Sequence, residues 1–230
     1  MKILCTICAR SGSKGIKNKN LLKLNNKTLI QIAVELSKQS KLFSKIIFSS
    51  DSNDYCKKAL SYGVDHYFKR SKILSNDFSG KIDVIRDVLK LSESYFDTHF
   101  DFICDVDVTT PLKNINDLKN SLNKFLKNKY NILFTVCEAK KNPYFNMIEF
   151  HTRSNSYKLI KNSFFKRRQD MPIVYSINAG FYFWKRSTLL QNNTVFSRNN
   201  GIYEMPYERS IDIDTLDDYK LIKIINDNKK

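Results

Sequence analysis

Ile3-Leu4-Cys5-Thr6-Ile7-Cys8-Ala9-Arg10-Ser11-Gly12-Ser13-Lys14-Gly15 is the stretch whose reading decides the fold. An apolar run over residues 2–8 reads as a buried strand, and it passes at once into a loop that is basic, hydroxylated and glycine-punctuated. The run superficially resembles the apolar part of a signal peptide. Five Lys or Arg follow between Arg10 and Lys23 with no small-residue cleavage site, so a strand is the better reading and the cytoplasm the expected location. Outward from this strand, apolar runs alternate with amphipathic stretches. Strands are predicted over 45–50, 66–68, 101–106, 131–137, 179–184 and 210–213. Helices are predicted over 28–39, 53–62 (stopped by Gly63), 80–95 and from 216 onward, with another capped by Asn114 or Asn116. That rhythm belongs to an α/β domain whose sheet is mostly parallel. Residues 139–177 break it. They are aromatic and basic, and read as an excursion inserted in a single domain spanning 1–230.

Composition narrows the class. Hydrophobic residues make up 42% of 230, enough for a large core, and only 6 Gly and 4 Pro argue against a fibrous or linker-rich chain. No apolar run approaches the roughly 20 residues of a membrane span. The net charge of +16 raises the question of a polyanionic partner. The basic residues are scattered, however, which marks a solvated surface and suits a compact anionic substrate better than a nucleic acid. Five cysteines are present. Cys5 and Cys8 sit three apart on one strand and so face opposite sides, which opposes a redox or zinc role; reduced structural thiols are expected. His66, His99 and His151 have no partners that suggest a triad.

Ligands of open α/β sheets bind beyond the carboxyl ends of the strands, and the polar clusters of this chain fall at such ends. In the first loop, Gly12 and Gly15 permit close backbone approach to phosphate oxygens, and Arg10, Lys14 and Lys19 add fixed positive charge where phosphoryl transfer needs it. The loop matches neither G-x-x-x-x-G-K-[ST] nor G-x-G-x-x-G. Two carboxylate pairs, Asp105/Asp107 and Asp212/Asp214, close the predicted fourth and last strands. An i, i+2 pair on a strand points to one face with about 6.5 Å between residues, and two such pairs would repel unless a cation lay between them. Hard oxygen ligands suit Mg²⁺.

Ala9-Arg10-Ser11-Gly12-Ser13-Lys14-Gly15, continued by Lys17-Asn18-Lys19-Asn20-Leu21, resembles the N-terminal signature of the acylneuraminate cytidylyltransferase family. The resemblance extends along nearly the whole chain, through Phe48-Ser49-Ser50-Asp51, Asn76-Asp77, Thr109-Thr110-Pro111-Leu112-Lys113 and Ser210-Ile211-Asp212-Ile213-Asp214, in that order. It implies a Rossmann-like three-layer fold of the nucleotide-diphospho-sugar transferase kind, with a small dimerisation excursion. It also implies a CTP-dependent nucleotidyltransferase that moves CMP from CTP to a nonulosonic acid. Gly80-Lys81-Ile82-Asp83-Val84-Ile85-Arg86 resembles the branch that handles legionaminic acid, with sialic acid the second candidate and pseudaminic acid the third.

The resemblance carries the site residue by residue. Arg10 and Lys14 stabilise phosphate charge, and Ser11, Ser13, Gly15, Lys19 and Asn20 support the nucleotide. Lys69 or Arg70 contacts it from the end of the third strand, and Asp77, Ser79 and Lys81 from the turn that follows. Asp212 and Asp214 are the metal ligands for Mg²⁺ or another divalent cation such as Mn²⁺, with Asp214 catalytic. Asp107 joins them, because cytidylyltransferases for the eight-carbon sugar KDO place an acidic residue on magnesium near this point. Arg168, with Arg167 and Lys166 as alternatives, is the partner of the sugar carboxylate. Asn178 is a further substrate-binding residue, and Ser176, just before it, stands where sialic acid enzymes often carry Arg. The excursion then forms a homodimer lobe reaching the partner's sugar site. Two rivals remain on the sequence. A glycosyltransferase of the same fold would lack a basic loop over a triphosphate, and a nucleic-acid-binding module would have no use for the two Asp pairs.

Overall fold

The computed structural model describes residues 1–12, 15–71, 73–75, 80–165 and 167–228. Its strands are β1 (Ile3–Cys8), β2 (Lys23–Leu24), β3 (Lys27–Thr28), β4 (Lys45–Ser50), β5 (His66–Lys69), β6 (Phe102–Val106), β7 (Ile132–Glu138), β8 (Ile148–His151), β9 (Ser156–Leu159), β10 (Tyr175–Lys185) and β11 (Asn200–Glu204). The helices are α1 (Leu29–Ser40), α2 (Asn53–Tyr62), α3 (Lys81–Tyr95), α4 (Ile115–Lys127), α5 (Arg186–Gln191) and α6 (Leu216–Asp227).

Seven strands form one sheet in the order β11-β7-β10-β6-β1-β4-β5. Every pairing is parallel except those of β10, which runs antiparallel to both β6 and β7. The layers follow from side-chain alternation along the strands. On β1, Ile3, Cys5 and Ile7 face one core together with α1, α2, α4 and α6, whereas Leu4 faces a second core with α3 and α5. This is the expected three-layer α/β architecture with a mostly parallel mixed sheet. The Cys5 and Cys8 thiols lie on opposite faces of β1, and all five cysteines are free.

Local signals set the helix starts. Thr28 and Ser52 accept the first free N–H groups of α1 and α2, and Asn114 and Thr215 form capping boxes with Asp117 and Asp218. Gly63 ends α2 at φ 97°.

The structure corrects the sequence reading in the last third of the chain. The strand expected over 179–184 begins at Tyr175, and α5 follows it directly. Residues 210–213 are not a strand. The last parallel strand is β11, Asn200–Glu204, ahead of the expected segment, where a glycine in a five-residue edge strand hides the pattern. Segment 210–214 instead runs irregularly beside the loop that follows β6, joined to it by the Ile213 N–H and the Thr109 carbonyl at 3.0 Å. Within the excursion, β8 and β9 make a separate two-stranded antiparallel sheet.

Candidate active site

Six of the predicted residues meet around one cavity of about 410 Å³ at the carboxyl ends of β1 and β6. Arg10, Gly15, Lys19 and Asn20 line it from the first loop, Asp107 from the end of β6, and Asp214 from the segment before α6. Cys8, Ala9, Val108 and Thr109 complete its lining.

The first loop is held in place from three sides. The Ser11 N–H and hydroxyl both donate to Asp51, at 2.8 and 2.7 Å, and burial of that carboxyl is outweighed by these bonds, which keep it below its ordinary range. Buried Asn20 donates to the Arg10 carbonyl at 2.9 Å. Lys19 pairs with the Asp214 carboxylate at 3.0 Å. Gly15 packs so closely on Asp214 that any Cβ there would overlap the Asp214 carbonyl oxygen, which is why glycine stands at this position. Asp51 ends the Ser49-Ser50-Asp51 run of β4 and was not among the residues assigned to the site from sequence; its position beyond a strand's carboxyl end is the signal that marks it.

The cation between Asp105 and Asp107 is Lys81. Its ammonium lies 2.9 Å from the Oδ2 atoms of both carboxylates and 4.4 Å from the centre of the Tyr182 ring. Asp105 is 1% exposed and also accepts from the Thr6 hydroxyl at 2.7 Å. Burial alone would lower the Lys81 ammonium, but the two aspartates override it and hold it well above its usual value. Burial would raise Asp107; Lys81, Lys113 and the Thr109 N–H instead keep it far below the carboxylate range. Lys113, itself buried, donates to the Asp107 and Thr110 carbonyls and pins the loop between β6 and α4. Sequence reasoning passed over Lys113 because a lysine near a helix start normally reads as solvated.

Asp212 and Asp214 do not share a face, since no strand carries them. Asp214 lines the first cavity. Asp212 lines a neighbouring cavity of about 630 Å³, bounded by β7, β10 and the excursion. There it accepts from the Thr110 hydroxyl and, at 3.4 Å, from the Ala179 N–H, while burial raises its carboxyl. Asn178 lies at the same cavity with its amide turned inward, donating to the Ser210 hydroxyl at 2.8 Å and accepting from Thr135 at 2.5 Å.

Of the remaining predicted residues, Lys69 ends β5 exposed, whereas Arg70 folds back and donates to the Ser49 carbonyl at 3.3 Å, its buried Nε without a hydrogen-bond partner among the described residues. Arg168 is exposed on the excursion and lines a separate cavity with Glu138 and Asn142. Arg167 is engaged by Asp170 at 2.8 and 3.0 Å. Ser13, Lys14, Asp77 and Ser79, and the alternative Lys166, lie outside the described residues.

Among the described residues, no three acidic, histidine or cysteine side chains converge as a ready-made metal cage. Asp107 and Asp214 nevertheless face one cavity with a basic loop, and two hard carboxylates completed by substrate phosphates is a donor set that fits Mg²⁺.

Comparison with known proteins places these features in a wider set. The family model described as cytidylyltransferase matches residues 4–229. The chain is 41% identical over 224 residues to the post-translational flagellin modification protein B of Campylobacter coli, covering 97% of this chain and 94% of that protein. It is 39% identical, with the same coverage, to the CMP-N,N'-diacetyllegionaminic acid synthase of Campylobacter jejuni. A solved structure of a CMP:2-keto-3-deoxy-manno-octonic acid synthetase complexed with CTP shares the fold over the full length of both chains, with a TM-score of 0.71 at 15% identity.

Proposed function

The chain belongs to the cytidylyltransferase family, and from that premise we propose that it transfers CMP from CTP to the anomeric hydroxyl of a nonulosonic acid, first a legionaminic acid derivative and second sialic acid, with release of pyrophosphate. The observation that carries this reading is the single cavity in which the cationic first loop faces Asp107 and Asp214.

The sugar's anomeric oxygen forms a bond to the α-phosphorus as the bond to the β-phosphate oxygen breaks, in line, and pyrophosphate departs. Arg10 and Lys14 bind the phosphate oxygens and stabilise the charge that builds on them. Lys19 and Asn20 keep the loop closed on the nucleotide, Lys19 through Asp214 and Asn20 through the Arg10 carbonyl. Arg70, whose buried Nε has no hydrogen-bond partner among the described residues, is favoured over Lys69 as the cation at the end of β5. Asp107 and Asp214 would hold magnesium or manganese, which when bound neutralises charge on the triphosphate.

The neighbouring cavity, bounded by Asp212, Asn178 and Ser176, is the place for the sugar. Arg168 does not reach either cavity within its own chain. A homodimer reconciles that position with carboxylate recognition: the excursion exposes Ile148, Phe150, Tyr157, Phe164 and Ile173, an apolar surface of the kind that subunit contacts cover. A guanidinium fork then binds the sugar carboxylate bidentately in the second subunit's site. Five free thiols suit the reducing cytoplasm, and no helix among the described residues is long and apolar enough to cross a membrane.

The test is pyrophosphate release with CTP against legionaminic, sialic and pseudaminic acids, with UTP and ATP in place of CTP as controls. Turnover with CTP and one of these sugars is expected; no release with any of them would overturn the assignment.

A further inference from the structure

Asp107 offers two oxygens, and both are taken within the chain. Oδ1 accepts from the Thr109 N–H at 2.8 Å and hydroxyl at 2.7 Å. Oδ2 is the atom that Lys81 holds at 2.9 Å, and the same ammonium holds Asp105 at 2.9 Å. Asp105 is buried and takes no part in lining the nucleotide cavity, so it needs a permanent counter-charge, and Lys81 supplies it. A second ammonium, that of Lys113, sits on the Asp107 main-chain carbonyl, so the carboxylate pair is opposed by positive charge before any ligand arrives.

We propose that Lys81 is a built-in counter-cation that makes loading of a divalent ion at Asp107 conditional on the nucleotide. This rests on the cytidylyltransferase reading above, in which Asp107 is a ligand of that ion. An ion approaching Oδ2 alone must share the oxygen with a fixed positive charge at contact distance, and like charges in a partly desolvated site repel strongly. The triphosphate reverses the balance, because its own negative charge enters with the ion. Lys81 sits on the first turn of α3 with its ammonium over the Tyr182 ring, so it cannot retreat into solvent without abandoning Asp105. It is a positioning residue: it holds the two carboxylates apart and ready, and blocks the ion from binding without its substrate.

The test is Mn²⁺ binding followed by electron paramagnetic resonance, on the wild type, Lys81→Met and Lys81→Arg, without nucleotide and with CTP. Lys81→Met keeps the aliphatic stem and removes the charge. It is expected to bind Mn²⁺ in the absence of nucleotide by about tenfold or more tighter than wild type, and Asp107→Asn in that background should abolish the gain. Lys81→Arg should behave as wild type. Equal Mn²⁺ affinity of wild type and folded Lys81→Met without nucleotide would overturn the proposal. So would wild type that binds Mn²⁺ as tightly alone as with CTP, an outcome that needs no variant. Pyrophosphate release by the wild type is measured in parallel. Its presence with unchanged Mn²⁺ affinities sinks the role of Lys81 alone, whereas its absence sinks the reading of the reaction.

Discussion

A methyl group added at Gly15 would overlap the Asp214 carbonyl oxygen, a backbone atom that cannot swing aside. Gly15→Ala is therefore expected to push the first loop off Asp214 and lower kcat/KM for CTP by about 10²-fold, since displacements near 1 Å at a reacting centre cost that much. Steady-state kinetics with circular dichroism check that the loss is local. Asp214→Ala should abolish pyrophosphate release while the fold stays intact, because its side chain is 78% exposed and its loss opens no core cavity, although Lys19, 15% exposed, loses its counter-charge; turnover close to wild type would remove Asp214 from the site. At this scale the sequence was informative wherever chemistry shows in residue type. A basic loop with glycines marked Arg10 and Lys19, and carboxylates read at strand ends together with the family resemblance marked Asp107 and Asp214; all four line one cavity. It was uninformative about pairing. Nothing in Lys81 or Asp105 as residues shows that an ammonium, and not a metal, separates the first carboxylate pair.

Two elements position the acids from outside the cavity. Helix α6 begins two residues after Asp214, whose N–H donates to the Asp218 carboxylate at 3.1 Å, and the capping box of Thr215 with Asp218 fixes that start. Asp218→Ala should cost about 1 kcal/mol of stability and also raise KM for CTP, because the lost cap loosens Asp214; a denaturant midpoint and a kinetic run separate the two effects. The loop between β6 and α4 hangs on Lys113, whose ammonium is brought down by burial to about 8 from 10.5 despite Asp107 and Asp212. Below pH 8 the fold carries that buried charge as a penalty, and the unfolded chain binds the extra proton between 8 and 10.5, so stability rises across this window by about 3 kcal/mol. Lys113→Met should flatten the rise relative to wild type in urea titrations at pH 7.5 and 10.5. Elements with strong periodicity or caps, such as α1, α2 and α3, were legible. The 210–214 segment was not, because Ser-Ile-Asp-Ile-Asp alternates like a strand while its hydrogen bonds go to the β6–α4 loop. Only tertiary partners distinguish the two cases.

For the whole molecule, the proposed pairing through the excursion makes a prediction about mixtures. Arg168→Ala and Asp214→Ala should each be inactive alone. Co-refolded in equal amounts, they should regain pyrophosphate release, since a mixed dimer has one site with an intact Asp214 in one subunit and an intact Arg168 in the other. No recovery, with dimers verified by light scattering, would show that Arg168 does not serve the second subunit's site. The layout of the sheet has a consequence for synthesis. Strand β10, from the last quarter of the chain, lies between β6 and β7 and bonds to both. A nascent polypeptide that has emerged only as far as residue 174 therefore leaves open the borders of β6 and β7 that β10 covers in the finished protein. Such borders recruit other chains, so ribosome stalling or truncation ahead of Tyr175 should yield insoluble product, while chains released after Lys185 should close their own centre.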